Sequence, residues 1–331
     1  MKKVLVVGYG SIGKRHVQNL LEKKSLEVIV VTKQKIISKN SRLKIIHNLD
    51  DALKEKPDIG FVTNETRFHL PTAIKLARNG INLFIEKPLS DSLNQVKTLQ
   101  KIVKDNKLIT MIGCNLRLFP PISKIKKLIE QNKIGKIISV QIENGSYLPD
   151  WHPYEDYRKG YAAKKKLGGG VSLTQIHEID YLKWFFGNAL EISSLSGKFS
   201  NLDIDVDDYS TSILKFKKDI ICEVHLDFLQ RPQYKRCKIR GLEGIIEWDS
   251  ESNKVKIFNP KQKKWKNVHL DKNYNLTQKK RLNLMYKDEL DHFMNCIKNK
   301  KNTINSLDDA IDTLKIALAI RDGTKLKKIN Y

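Results

Sequence analysis

Val4-Leu5-Val6-Val7-Gly8-Tyr9-Gly10-Ser11-Ile12-Gly13 is the stretch that decides the fold. Four apolar residues run into a Gly-x-Gly-x-x-Gly turn, and Ser11–Glu22 continues with helical periodicity. Strand, glycine loop and helix in that order form a dinucleotide-binding fingerprint. Each glycine meets a separate steric need: Gly8 makes the tight turn, Gly10 admits a pyrophosphate to the backbone, and Gly13 lets helix and strand lie close. The free N–H groups at the helix start then face the phosphates, which places Tyr9, Ser11 and Ile12 at the cofactor as well. Met1–Gly8 superficially resembles a secretion signal. Its apolar part is too short, however, and runs straight into the turn and Lys14-Arg15, so it reads as a first strand.

Outward from this loop, strands and helices alternate. Lys3–Val7, Glu27–Val31, Leu43–Ile46, Asp58–Thr63, Ile81–Ile85 and Leu108–Gly113 read as strands, and Ser11–Glu22, Leu49–Lys54, Phe68–Arg78 and Ser92–Lys104 as helices. Continuous apolar strands separated by helices predict a doubly wound parallel sheet covered on both faces. After about Arg117 the rhythm changes. A helix near Ile122–Gln131, a strand Lys136–Glu143 and a polar, aromatic loop from Gly145 to Lys166 lead to Gly168–Gly170 and a helix Ser172–Phe186. From Glu191 to His269 strands follow one another, among them Tyr209–Lys215, Ile220–Asp227, Lys235–Arg240 and Gly244–Asp249, which predicts a mostly antiparallel sheet. Helices near Leu282–Lys298 and Ser306–Arg321 close the chain, the latter with Ser306 as N-cap and Asp308 and Asp309 in its first turn. The expected organisation is an α/β domain over 1–118 and an α+β domain over 119–331, with one sheet face free for self-association.

Length and composition bound the function. The 331 residues, 40% hydrophobic and 30% charged, make a globular chain. Its formal charge of +24 comes from Lys spread along the whole sequence with no nucleic-acid motif beside it. A solvated basic surface is thus expected, with no nucleic-acid partner and a preference for an anionic small substrate such as a nucleotide sugar. No run of about 18 apolar residues points to a membrane span. Cys114, Cys222, Cys237 and Cys296 are scattered, which fits free thiols in the cytoplasm and no metal site.

Four further places carry chemistry. The second strand ends Val30-Val31-Thr32-Lys33-Gln34 without the acid that would bind a ribose 2′-hydroxyl. Thr32 and Lys33 suit a 2′-phosphate, so the pattern favours NADP over NAD. The loop after Ile59–Thr63, with Thr63, Asn64 and His69, is expected beside the nicotinamide, although His69 reads equally as a packing or capping residue. In Ile85-Glu86-Lys87-Pro88 a Lys stands at the carboxyl end of a strand, where open α/β sheets bind ligands. In such a cleft a Lys pKa falls from about 10.4 toward roughly 7–8, the range for acid/base work. Finally, Thr174, His177 and Asp180 share one face of the predicted helix. Before it, the loop Trp151-His152-Pro153-Tyr154-Glu155-Asp156-Tyr157-Arg158 sets flat rings among hydrogen-bonding groups. That mixture suits a sugar, and it suits a protein interface.

Taken together, Gly8–Gly13 with His16, the Thr63–His69 loop, Glu86-Lys87-Pro88, Asn115-Leu116-Arg117, and Gly168–Gly170 with His177 and Asp180 resemble the Gfo/Idh/MocA family of NAD(P)-dependent oxidoreductases. The resemblance implies a Rossmann domain followed by an α/β domain with a large open sheet used in homodimers or homotetramers, and a helix over about 306–321 packing back on the first domain. It implies hydride movement between a sugar carbon and the nicotinamide. Lys87 would be the acid/base residue and His177 its partner, with Glu86, Asn115 and Arg117 on the cofactor side. The substrate would lie among Trp151, His152, Tyr154, Asp156, Tyr157, Arg158, Gln175 and Asp180. Two departures stand out. Leu173 and Thr174 occupy the positions where many members carry an Asp, leaving Asp180, Gln175 or Asp156 to orient the substrate, and Asn64 replaces a common Pro. Two other readings accompany the resemblance: an NAD-dependent glycosidase, and a cofactor-binding regulator without catalysis. Retention of Lys87 and His177 argues against the regulator.

Overall fold

The computed structural model describes residues 1–270 and 278–324, with side chains of the last stretch from residue 283 onward. In chain order the elements begin β1 (Lys2–Val7), α1 (Ser11–Leu21), β2 (Leu26–Val31), β3 (Leu43–Ile46), α2 (Leu49–Lys54), β4 (Ile59–Val62), α3 (His69–Arg78), β5 (Asn82–Ile85), α4 (Val96–Asp105) and β6 (Thr110–Ile112). They continue α5 (Pro120–Glu130), β7 (Ile137–Gly145), α6 (Val171–Thr174), α7 (His177–Phe186), β8 (Glu191–Gly197), β9 (Tyr209–Phe216) and β10 (Ile220–Asp227). The last are β11 (Tyr234–Gly241), β12 (Gly244–Asp249), β13 (Val255–Asn259), β14 (Lys264–Asn267), α8 (Gln278–Asn299) and α9 (Leu307–Asp322).

The chain folds as two compact units, and the first comprises 1–115 with 278–311. Its six strands are all parallel, in the order β3-β2-β1-β4-β5-β6. The order reverses between β1 and β4, the switch point at which such sheets open a crevice at their carboxyl edge. Val4, Val6, Ile59 and Phe61 are fully buried because helices cover both faces. Phe61 and Phe84 stack at 4.7 Å, and Phe293 of α8 meets both edge-on, at 6.0 and 5.7 Å. A late helix thus completes the core of the earliest strands. One predicted element starts late: the helix expected from Ser92 begins at Val96, because Gln95 is left-handed (φ +62°) and interrupts the helical path.

The second unit comprises the described residues among 116–277 and 312–324. Its eight strands form one sheet, β14-β13-β12-β11-β7-β10-β9-β8. Every pairing is antiparallel except β7 with β10. The fold class expected from the sequence is therefore the one observed. Along β9, Ser210, Ser212, Leu214 and Phe216 face inward under α6, while Thr211 and Ile213 face outward. The outer face leaves Ile213, Ile221 and Leu195 exposed.

The predicted helix Ser172–Phe186 is two helices. It breaks at Gln175 (φ −96°, ψ 33°), whose side-chain Nε2 donates to the Asp227 carbonyl at 2.9 Å. Thr174 closes the first piece by donating to the Gly170 carbonyl at 2.6 Å. The three-residue spacing that placed Thr174 on one helix face with His177 and Asp180 does not carry across this break.

Candidate functional site

In the first unit the site is built from the carboxyl edge of β1, β4 and β5. Gly8 has φ +105°, and a side chain there would stand 2.6 Å from the Asn64 nitrogen. Only glycine meets both constraints. Gly13 faces the Gly8 carbonyl, so the start of α1 lies tight against the loop. Gly10 caps α1 in an extended conformation, with open space beyond its Cα. The first intrahelical bond runs from Lys14 N–H to the Gly10 carbonyl at 2.9 Å, leaving the Ser11, Ile12 and Gly13 N–H groups for a ligand. No acid occupies that turn. A half-buried Tyr9 lies below the Lys14 ammonium, 5.7 Å from its ring centroid. This cradle fits the phosphates of a dinucleotide.

The neighbouring loops are pinned to it. The Thr63 hydroxyl lies 2.9 Å from the Gly8 carbonyl and 3.1 Å from that of Val7, tying β4 to β1. Asn64 donates to the Thr72 hydroxyl at 3.1 Å. The buried His69 ring stands between two carbonyls, Asn64 O at 2.9 Å from Nε2 and Pro88 O at 2.8 Å from Nδ1. It braces the loops after β4 and β5 against each other, so both ring nitrogens already face protein oxygens. Burial holds its pKa below the ordinary histidine value. Lys87 is half-buried just past β5. The Glu86 carboxylate accepts from His16 Nε2 at 2.6 Å and from the Lys87 backbone N–H at 3.2 Å. At the end of β2, the buried Thr32 hydroxyl accepts from Gln34 N–H at 3.2 Å, and Lys33 is exposed. Asn115, buried, closes the unit's first segment.

In the second unit many candidate residues are bonded to one another. Asp180, expected to orient a substrate, accepts from Arg117 Nε and Nη2, each at 2.8 Å, and both side chains are 1% exposed. Arg117, expected on the cofactor side, is therefore locked into a buried bidentate pair. His177 opens α7 and is half-buried, with Glu178 and Asp180 in the same first turn. Gln175 Nε2 reaches the Asp227 carbonyl and, at 3.4 Å, the Ser146 hydroxyl. Trp151 Nε1 donates to that hydroxyl at 3.0 Å, and its ring meets Phe228 edge-on at 5.4 Å.

Further along the loop, His152 Nδ1 lies 3.2 Å from the hydroxyl of Tyr154, an exposed ring. Arg158 donates to both oxygens of Asp156, at 2.8 and 3.0 Å, and holds that carboxyl below the usual carboxylate range. The Tyr157 hydroxyl accepts from Asp203 N–H at 3.2 Å.

Three features escaped sequence reading. Asp207 accepts from the Ser172 N–H and hydroxyl, at 2.9 and 2.7 Å, and so caps α6 from 35 residues away. Arg231 lies 3.3 Å over the Tyr147 ring. The His16–Glu86 pairing spans 70 residues. His16, one turn beyond the glycine loop on the buried face of α1, was the only local signal.

Residues 2–114 match the family model described as "Oxidoreductase family, NAD-binding Rossmann fold", and residues 126–325 match "Oxidoreductase family, C-terminal alpha/beta domain". The chain belongs to the Gfo/Idh/MocA oxidoreductase family. The resemblance drawn from the motifs is thereby borne out.

Among relatives of this family member, levoglucosan dehydrogenase of Pseudarthrobacter phenanthrenivorans is 26% identical over 225 residues, 60% of this chain and 57% of that one. The scyllo-inositol 2-dehydrogenase (NAD(+)) of Bacillus subtilis is 26% identical over 280 residues, 79% of this chain and 74% of that one. The chain thus spans little more than half the length of the levoglucosan dehydrogenase it matches. Its fold is that of levoglucosan dehydrogenase solved in complex with NADH, with TM-score 0.84, 17% identity, and coverage of 97% of this chain and 96% of the other. It is also that of UDP-N-acetylglucosamine 3-dehydrogenase from Acidithiobacillus ferrooxidans, with TM-score 0.75, 17% identity and the same coverage. No helix among the described residues is long and apolar enough to cross a membrane.

Proposed function

We propose that this chain is a nicotinamide-dependent oxidoreductase acting on the CH–OH group, or the corresponding carbonyl, of a sugar or sugar derivative, with Lys87 and His177 as its acid/base pair. The observation that carries the reading is the position of Lys87. It stands at the carboxyl end of β5, on the edge that holds the glycine loop, with its backbone N–H fixed by the buried Glu86. The cofactor, when bound, supplies the hydride chemistry. The chain's own part is to hold phosphates on the Ser11–Gly13 N–H groups, keep the loops after β4 and β5 in register, and move the hydroxyl proton at Lys87 Nζ. A positioned acid/base group contributes about 10²–10⁴-fold. Lys87→Met is therefore expected to hold the phosphates of the dinucleotide as the wild type does and to turn over slower by about that factor. The activity is found by screening nucleotide sugars and free acidic sugars with each cofactor. Near-normal turnover in the variant removes Lys87 from the mechanism.

We infer NADP as the preferred cofactor, since β2 ends without an acid and with Lys33 exposed. Lys33→Glu should reverse the order of NADP and NAD affinities in a titration. Tighter NAD binding by the wild type overturns the inference. The substrate is read as an anionic sugar or nucleotide sugar, from the basic surface and the rings of the Trp151–Arg158 loop. We further propose a cytoplasmic homodimer or homotetramer formed through the outer face of the second unit's sheet, where Ile213 and Ile221 are exposed. Ile213→Asp should then lower the mass seen by light scattering.

A further inference from the structure

The His16–Glu86 pair has a consequence beyond holding a backbone. Its side chains are 1% and 8% exposed. The carboxylate's hydrogen bonds come from the imidazole Nε2–H and the Lys87 peptide N–H. The His16 ring is walled by Phe61, Phe84 and Tyr286, with centroids at 5.2, 5.1 and 5.8 Å. His16 Nδ1 is buried with no hydrogen-bond partner. A proton on Nδ1 would meet no acceptor among the described residues, whereas an Nε2–H donates straight to the Glu86 carboxylate. Burial pushes the Tyr286 phenol up, so it stays neutral, and burial likewise disfavours a charged His69. Arg15 stacks over the Tyr286 ring at 4.7 Å, and Glu289 of α8 is a second buried acid. The backbone makes room for the carboxyl group: a side-chain carbon on Gly113 would stand 3.1–3.3 Å from its atoms.

We propose that the His16–Glu86 pair is a fixed negative charge beneath the β5 edge that sets the oxidised-versus-reduced preference of the bound nicotinamide. The proposal rests on the reading of this edge as the cofactor site. A dinucleotide lies along the carboxyl edge on both sides of the β1/β4 switch, and Glu86 is the first residue beyond β5. The oxidised ring is cationic and the reduced ring neutral, so a buried anion at that edge holds the oxidised form more tightly. Lys87, of opposite sign and next in sequence, acts in the reverse sense.

The test is calorimetric titration of the full chain with NAD+, NADH, NADP+, NADPH and ADP-ribose, the last lacking the ring. In Glu86→Gln the ratio Kd(reduced)/Kd(oxidised) should fall about tenfold, with ADP-ribose affinity within about twofold of wild type. Glu86→Asp, which keeps the charge, should retain the wild-type ratio within about threefold. In Lys87→Met the carboxylate is unopposed and the ratio should rise. An unchanged ratio in Glu86→Gln overturns the proposal while the intact nucleotide affinities leave the cofactor reading standing. A ratio that falls or stays fixed in Lys87→Met overturns it whether or not Glu86→Gln folds. Failure of all five ligands to bind overturns the cofactor reading and the proposal with it.

Discussion

The two units solve opposite problems. The first unit's edge is shaped for something outside the protein: helix-start N–H groups are left without intrahelical carbonyls, Gly10 opens onto space, and the flanking loops are braced from behind by Thr63 and His69. In the second unit the polar candidates largely satisfy one another, Arg117 with Asp180, Arg158 with Asp156, Trp151 and Gln175 with Ser146. A dinucleotide presents the same phosphates to every protein that binds it, so its site is made of backbone and spacing. In the second unit, by contrast, Arg117 and Asp180 meet from 63 residues apart and Gln175 and Ser146 from 29, side chains holding side chains.

The sharpest way to break this contrast is in the second unit's core. Arg117→Leu leaves Asp180 buried without its cationic partner and should cost about 3–5 kcal/mol of stability in chemical denaturation. A loss under 1 kcal/mol would mean that the pair is ornamental. Next is Gly13→Ala. Its methyl group would press on the Gly8 carbonyl, and such crowding costs roughly 1–3 kcal/mol. Nucleotide affinity, read by titration, should fall with it.

A smaller effect is set by pH. The folded-state pKa of His69 is depressed by burial, so below the unfolded value the unfolded chain binds a proton that the folded chain does not. Stability is therefore present above about pH 6.5 and lost as pH falls from there toward the depressed folded value. Urea midpoints at pH 7.5 and 5.5 should differ less in His69→Gln than in the wild type. The smallest effect belongs to Arg158→Ala, which should leave the unfolding midpoint where it is, since exposed ion pairs contribute little. If Arg158 serves substrate, its loss appears in KM instead.

Legibility in the sequence followed the same division. The parallel sheet, its strands and the glycine loop were readable because hydrophobic runs and glycine spacing are local signals. The sheet of the second unit was readable as alternation, as in Tyr209–Phe216. Contacts that join distant residues were not: no spacing rule connects Arg117 to Asp180 or His16 to Glu86. The break at Gln175 was hidden because the hydrogen bond that accompanies it, to the Asp227 carbonyl, joins residues 52 apart. The late start of α4 was hidden because Gln95 adopts a left-handed conformation that its residue type does not announce.

The place of α8 in the first core has a consequence for how the protein is made. Phe61 and Phe84 leave the ribosome early, while their edge-on partner Phe293 and the neighbouring Leu290 come from near the end of the chain. From Leu116 through Asn299 the chain adds 184 residues, which at typical elongation rates take about 10–40 s to synthesise. For that interval the nucleotide-binding half is an open sheet with an uncovered aromatic pair. Most of the second unit is made in the meantime, and its own closing segment, residues 312–324 among those described, follows α8.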